Sequence, residues 1–367
     1  MSRPRTYIFA GGGTGGHLFP GIAVALELTR REPDAKAVFV GSERDLETAI
    51  LTRYGLDHRS LPVESLSSLT RRPIQFLRRN WQAWRAARKL IHEQQPAAVI
   101  GLGGYASAPM VWAAARVGIP VVLLEQNVIP GRTTRWLSRS ANLVCLSFPE
   151  SASRLPRGTH VEITGNPLRR EIAELSADDS RPSVSRRELL ILGGSQGADS
   201  LNQAVIAALR SLRGELSNWH IAHQTGPRQV ETIRGQYAEL SIRATVEPFF
   251  DDMAARYRAA SVVVSRAGAT TLSELACCGL AMILLPYPHA ADDHQRANAR
   301  SLADRGAALV VDHLETAEKT GEQLSLSLRR LLNDAVLREA MTTAARACAR
   351  PDATSVVVDH IQSLRTE

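Results

Sequence analysis

Short apolar runs alternate with stretches of helical periodicity along most of the chain. The runs at residues 6–10, 37–40, 98–101, 121–125, 143–146 and 161–164 mostly lack the polar alternation of a half-exposed strand. Strands buried on both faces of a parallel sheet read this way. With helical patterns between them they form a βαβ series, which predicts an α/β fold built on a doubly wound sheet.

The pattern restarts in the second half. A polar stretch at 176–187 with Pro182 and several serines predicts a surface loop. A strand at 188–192 follows, then the glycine turn Gly193-Gly194-Ser195-Gln196-Gly197-Ala198 and a helix over about 200–212. Further strands are expected at 219–224, 244–247, 261–265, 281–285 and 307–311. The chain is thus predicted to hold two Rossmann-like domains, 1–165 and 166–349, with their glycine loops facing a cleft. The break is placed near Gly165-Asn166-Pro167, and the last helix, within 350–367, is assigned to the first domain.

One helical segment departs from the plan. In residues 71–91, Ile74, Leu77, Trp81, Trp84 and Ile91 fall on one stripe, with Arg78, Arg85, Arg88 and Lys89 along or beside it. No acidic residue lies between Ser65 and His92. Such a stripe packs on a sheet with a solvated basic edge, or lies at the headgroup level of an anionic membrane.

Charge sharpens that alternative. Residues 1–165 carry 21 Lys and Arg against 12 Asp and Glu, whereas the remainder is slightly acidic. An anionic surface or substrate is therefore expected at the first half. The four cysteines show neither metal-ligand spacing nor a disulfide framework, which reads as a cytosolic protein with reduced thiols. The most apolar stretch, 110–124, is broken by Arg116, Gly118 and Pro120 and reads as helix, turn and buried strand rather than a membrane span.

The candidate chemistry starts at Gly11-Gly12-Gly13-Thr14-Gly15-Gly16-His17, a glycine turn between a strand and a helix start. Its amides suit an anion. The loop lacks the spacing and the well-placed acid of a dinucleotide fingerprint, and no Walker lysine follows. Similar strand-end patches recur at Gly103-Gly104-Tyr105-Ala106-Ser107, Glu125-Gln126-Asn127, Gly165-Asn166-Pro167-Leu168-Arg169 and Ser265-Arg266-Ala267-Gly268-Ala269-Thr270-Thr271-Leu272-Ser273-Glu274. Open α/β sheets bind ligands at such strand ends.

Taken in order, these patches resemble the MurG family of peptidoglycan N-acetylglucosaminyltransferases, in the glycosyltransferase-B superfamily. The resemblance runs from Gly11 to about Asn298. It implies transfer of N-acetylglucosamine from UDP-N-acetylglucosamine to the 4-hydroxyl of the muramyl sugar of lipid I, forming lipid II with inversion. It implies no metal and no cofactor. It also implies peripheral attachment to the cytoplasmic face of the inner membrane, no nucleic-acid partner, and company among other cell-wall synthesis and division proteins. The alternatives are a related enzyme glycosylating another lipid acceptor and, more distantly, a nicotinamide-dependent oxidoreductase.

By the same resemblance, Ser195, Gly268, Ala269 and the following amides, Thr270 to Ser273, hold the pyrophosphate together with Arg169. Glu274 takes the ribose hydroxyls, the main chain near Phe250 meets the uracil, and Gln295 and Asn127 meet the sugar. Thr14, Gly15 and Gly16 line the junction of donor and acceptor, while Gly103, Gly104 and Tyr105 bind the acceptor. His17 is the first candidate base, Glu125 the second and Tyr105 the third. Membrane contact through Ile74, Leu77, Trp81 and Trp84 becomes the favoured reading of that helix.

Overall fold

The computed structural model describes residues 4–13, 15–43, 45–65, 67–177, 187–193 and 198–364. The chain divides into two compact units, Met1–Arg169 with Asp352–Glu367, and Arg170–Pro351. The sequence break expected at 165/166 thus lies four residues before the edge of the first unit.

The first unit runs β1 (Thr6–Gly11), α1 (Gly15–Arg31), β2 (Lys36–Gly41), α2 (Asp45–Arg53), β3 (Asp57–Ser60), α3 (Ser67–Arg71), α4 (Pro73–Gln94), β4 (Ala98–Gly103), α5 (Ala108–Ala115), β5 (Val121–Glu125), α6 (Arg132–Leu137), β6 (Leu143–Leu146) and β7 (Val161–Ile163). Among the described residues these strands form one parallel sheet in the order β3-β2-β1-β4-β5-β6-β7. The order reverses between β1 and β4, the switch point where ligands sit in doubly wound sheets. β3 has no counterpart in the apolar pattern. Its residues Asp-His-Arg-Ser are largely exposed at the sheet edge, so no hydrophobic run marks it.

The second unit runs α7 (Arg170–Ala173), β8 (Glu188–Leu192), α8 (Asp199–Arg210), β9 (His220–Gln224), α9 (Val230–Glu239), β10 (Ala244–Glu247), α10 (Met253–Ala259), β11 (Val262–Ser265), α11 (Ala269–Cys278), β12 (Ala281–Leu284), α12 (His294–Ala303), β13 (Ala308–Val310), α13 (Ala317–Asn333) and α14 (Ala335–Cys348). Its parallel sheet has the order β10-β9-β8-β11-β12-β13, with the switch point between β8 and β11. Both units are therefore Rossmann-like, as the sequence pattern predicts. The serine-rich stretch 176–187 lies mostly outside the described residues.

The last helix, α15 (Ala353–Ser363), packs on the first unit. Val357, Val358 and Ile361 are buried in a cluster with Tyr7, Phe9, Leu28 and Phe39. Burial of each such side chain stabilises by on the order of 1.5–3 kcal/mol. At the rim Arg31 Nη1 donates to Asp359 at 2.5 Å and Gln362 Nε2 to Glu32 at 2.6 Å.

The second core contains a polar network. His223 is fully buried on β9, with Nε2 3.1 Å from Asn202 Oδ1 and Nδ1 3.0 Å from the Tyr237 hydroxyl. Asn202 Nδ2 donates to Thr225 O and Gln229 Oε1, which fixes Oδ1 as the acceptor facing His223. Nε2 therefore donates to Asn202, and with burial keeping the imidazole neutral, Nδ1 accepts from the Tyr237 hydroxyl. Burial pushes its pKa down to about 3. The stability this contributes is complete above the ordinary histidine value and is lost as pH falls toward 3. Urea unfolding is expected to show about 3 kcal/mol lost between pH 7 and 4 from this group. His223→Gln should flatten that slope; an identical slope in the variant would assign the acid sensitivity elsewhere.

Candidate active site

In the first unit the site is built from glycines because backbones touch there. Gly11, Gly12 and Gly13 have φ of +118°, +153° and +94°, and Gly103 and Gly104 have +96° and +72°. A Cβ on Gly11 would lie 2.4 Å from Gly103 O, so the loops after β1 and β4 pack main chain to main chain. A Cβ on Gly103 would lie 3.2 Å from His17 Cδ2. His17, in the first turn of α1, thus lays its half-buried imidazole across the second glycine loop. Gly15 and Gly16 open the same turn, and Tyr105 packs part of its ring on the core. Thr14 lies outside the described residues.

Glu125 ends β5 and is buried. Its Oε1 accepts from the Asn127 amide at 3.0 Å and from Asn127 Nδ2 at 3.4 Å, and its Oε2 accepts from the Gly131 amide at 3.0 Å. The carboxylate therefore staples the turn leading to α6 and orients Asn127. Arg169 places its guanidinium 5.2 Å above the Phe19 ring, two residues beyond His17 on α1. Asn166, in the same segment, is buried with no hydrogen-bond partner for either amide atom among the described residues. Sequence reasoning quoted this residue without giving it a role.

In the second unit α11 starts after a three-residue turn, 266–268, at the end of β11. Its N-cap, Gly268, has no side chain to cover the first amides, which leaves the helix start suited to an anion. Of the residues expected there, Leu272 has its side chain in the core, and its amide donates to Gly268 O at 3.0 Å inside the helix. Ser273 Oγ likewise bonds back to Ala269 O. Ala269, Thr270 and Thr271 make up the first turn of the helix. Ser195 lies outside the described residues.

Glu274 is buried and accepts a 2.7 Å hydrogen bond from the Tyr257 hydroxyl at Oε2. Gln295, on α12, uses Oε1 to hold two loops at once, accepting from the Ala267 amide at 3.3 Å and the Tyr287 amide at 2.9 Å. The Phe250 amide donates to Gln224 Oε1 at 3.0 Å, and the buried Phe250 ring lies 5.0 Å beneath the Arg256 guanidinium.

Arg266 is a further cation at the β11 end, quoted in its motif but given no role by sequence reasoning. It donates to Leu285 O at 3.0 Å and Ser200 Oγ at 2.7 Å, and it contacts His313 Nε2. Burial lowers its pKa to about 10, which leaves it cationic at neutrality, and burial together with Arg266 pushes His313 down to about 4. A neutral His313 can accept from the guanidinium, so Arg266 ties α8, β11 and β12 together at their ligand-facing ends.

Two Rossmann-like units in one chain, each with glycines at its switch point, define the architecture of the glycosyltransferase-B enzymes. Two family models match: the glycosyltransferase family 28 N-terminal domain over residues 7–146 and the glycosyltransferase family 28 C-terminal domain over residues 188–357. A UDP-N-acetylglucosamine–N-acetylmuramyl-(pentapeptide) pyrophosphoryl-undecaprenol N-acetylglucosamine transferase from Myxococcus xanthus is 39% identical over 96% of this chain and 91% of its own. The transferase of the same name from Geobacter sulfurreducens is 40% identical over 98% and 99%. The crystal structure of Acinetobacter baumannii MurG is 32% identical, with a TM-score of 0.77 over 98% of this chain and 100% of that one. The chain belongs to glycosyltransferase family 28, in its MurG branch.

Proposed function

We propose that this chain transfers N-acetylglucosamine from UDP-N-acetylglucosamine to the 4-hydroxyl of the muramyl sugar of lipid I, giving lipid II. The observation that carries the substrate assignment is identity of 39–40% over nearly the whole chain to transferases of that name. In the reaction the 4-hydroxyl oxygen bonds to the sugar's anomeric carbon as the bond to the diphosphate breaks. The hydroxyl proton passes to a base, and UDP leaves with the bonding electrons.

The residues fit those steps. His17 is the base, since an imidazole takes a proton near neutrality and this one stands at a loop of close-packed glycine backbone. Glu125 serves better as the holder of Asn127 and of the Gly131 turn, because amides occupy both its oxygens. Gly103, Gly104 and Tyr105 receive the acceptor, with Gly15 and Gly16 beside them. The amides at the start of α11 and the Arg169 guanidinium stabilise charge building on the departing diphosphate. Glu274 accepts from the ribose hydroxyls. With its amide engaged by Gln224, Phe250 offers a base its main-chain carbonyl. Gln295 holds its loops through its carbonyl end, so its amide end serves the sugar.

The assay is UDP release from UDP-N-acetylglucosamine with and without a lipid I analogue. Release that depends on the analogue is expected; release with another lipid acceptor but not with lipid I would overturn the assignment.

The acceptor's lipid chain requires a membrane. Among the described residues no helix is long and apolar enough to cross one. The favoured attachment is an aromatic face on the first unit. Ile74, Leu77 and Trp81 are 82%, 63% and 55% exposed, whereas Ile91 at the other end of the stripe is buried. Trp84 leads to Trp112 at 6.4 Å and on to Trp136 at 6.1 Å. Trp112 and Trp136 lie on α5 and α6, too far along the sequence for a helical stripe to find. Arg85, Arg88 and Arg116 lie over Trp81, Trp84 and Trp112 at 4.8, 5.0 and 4.2 Å. Indoles with guanidiniums at one level suit an anionic headgroup layer. Serine at Ile74, Leu77 and Trp81 together is expected to cut binding to anionic vesicles at least tenfold, since each apolar side chain withdrawn from the interface forfeits roughly 1 kcal/mol or more. Normal vesicle binding by the folded triple variant would place the attachment elsewhere.

A further inference from the structure

Helix α10 joins two parts of the nucleotide site that the sequence lists separately. It begins three residues after Phe250, with Asp252 as its N-cap accepting from the Ala255 amide at 2.9 Å. Arg256 on this helix covers the Phe250 ring. The next residue, Tyr257, turns the other way into the core and reaches Glu274 on α11 at 2.7 Å. Two adjacent residues thus fasten the loop assigned to the base and the carboxylate assigned to the ribose.

The Tyr257–Glu274 bond solves a physical problem. A buried carboxylate is costly unless hydrogen bonds hold it. A glutamate side chain also has several torsions, so an untethered carboxylate would not keep one plane. A short hydroxyl–carboxylate bond is among the stronger neutral-to-charged contacts, and its donor here is a fully buried ring. We propose that Tyr257 is a positioning residue for donor recognition, aiming the Glu274 carboxylate at the vicinal hydroxyls of the ribose of a uridine diphosphate sugar. The proposal rests on reading Glu274 as the ribose ligand, and it adds the residue through which that ligand is set.

The test compares wild type, Tyr257→Phe, Glu274→Ala and the double variant, with calorimetric affinities for UDP and 2′,3′-dideoxy-UDP. Phenylalanine keeps the ring and its packing and removes only the hydroxyl. Tyr257→Phe is expected to weaken UDP about tenfold, the scale of one lost hydrogen bond to a charged group. It should leave dideoxy-UDP nearly unchanged, so the preference for the hydroxylated nucleotide collapses. The Michaelis constant for the acceptor should not move. In the Glu274→Ala background Tyr257→Phe should cost nothing more, because the residue acts through Glu274. Equal weakening of both nucleotides by Tyr257→Phe, or the same loss in the Glu274→Ala background, would reduce Tyr257 to packing and overturn the proposal. If Glu274→Ala itself keeps the full preference for UDP, the ribose reading of Glu274 fails instead, and the proposal fails with it.

Discussion

His17→Ala is expected to lower turnover by roughly two to four orders of magnitude at saturating substrates, the usual contribution of a positioned general base. The imidazole lies across Gly103, where a Cβ would stand only 3.2 Å from it. That packing fixes the ring with little side-chain freedom, and proton transfer depends on such placement. The proposed reaction gives His17 no part in holding the nucleotide, so UDP-N-acetylglucosamine should bind the variant within about twofold of wild type, a difference of under 0.5 kcal/mol. Turnover and calorimetric affinity, measured on the same preparation, separate the two effects. Unchanged turnover would remove His17 from the mechanism. A matching fall in donor affinity would make it a binding group.

Glu274→Ala is expected to weaken the UDP-sugar roughly a hundredfold, since two hydroxyls would each lose a charged acceptor worth about 1.5 kcal/mol or more. The same change removes the 2.7 Å Tyr257–Glu274 hydrogen bond from the core, which should cost about 1–3 kcal/mol of stability. Both consequences come from one carboxylate, but they are read separately, by donor affinity and by denaturant midpoint. The acceptor should be untouched. Equal weakening of donor and acceptor would contradict the ribose role.

Much of this was legible before any coordinates. Strands such as Val121–Glu125 and Ala281–Leu284 sit where the apolar runs put them. A parallel strand covered on both faces must be apolar at consecutive positions, and few other segments are. β3 escaped because an edge strand made of Asp, His, Arg and Ser carries no such signature. At the site, glycine clusters betrayed the places where backbones approach. The sequence could not say what holds a functional side chain in place. Tyr257 reads as an ordinary core aromatic, and Gln224 as the polar end of a strand. Their roles depend on partners 17 and 26 residues away. Trp136 was missed for the same reason, since it joins Trp84 only through Trp112 on another helix.

The return of α15 to the first unit sets an order of events on the ribosome. The groove that receives Val357, Val358 and Ile361 is lined by residues made more than 300 positions earlier in the chain, among them Tyr7, Phe9 and Leu28. Its cover is not synthesised until after the entire second unit. The emerging first unit must therefore carry an open apolar seam while some 180 residues pass through the tunnel. The usual sequence, in which the amino-terminal domain finishes first, is inverted here. The second unit is complete within one continuous stretch, and the first closes only once α15 has emerged. A nonsense codon at the start of α15 would leave the second unit whole and uncover the core of the first.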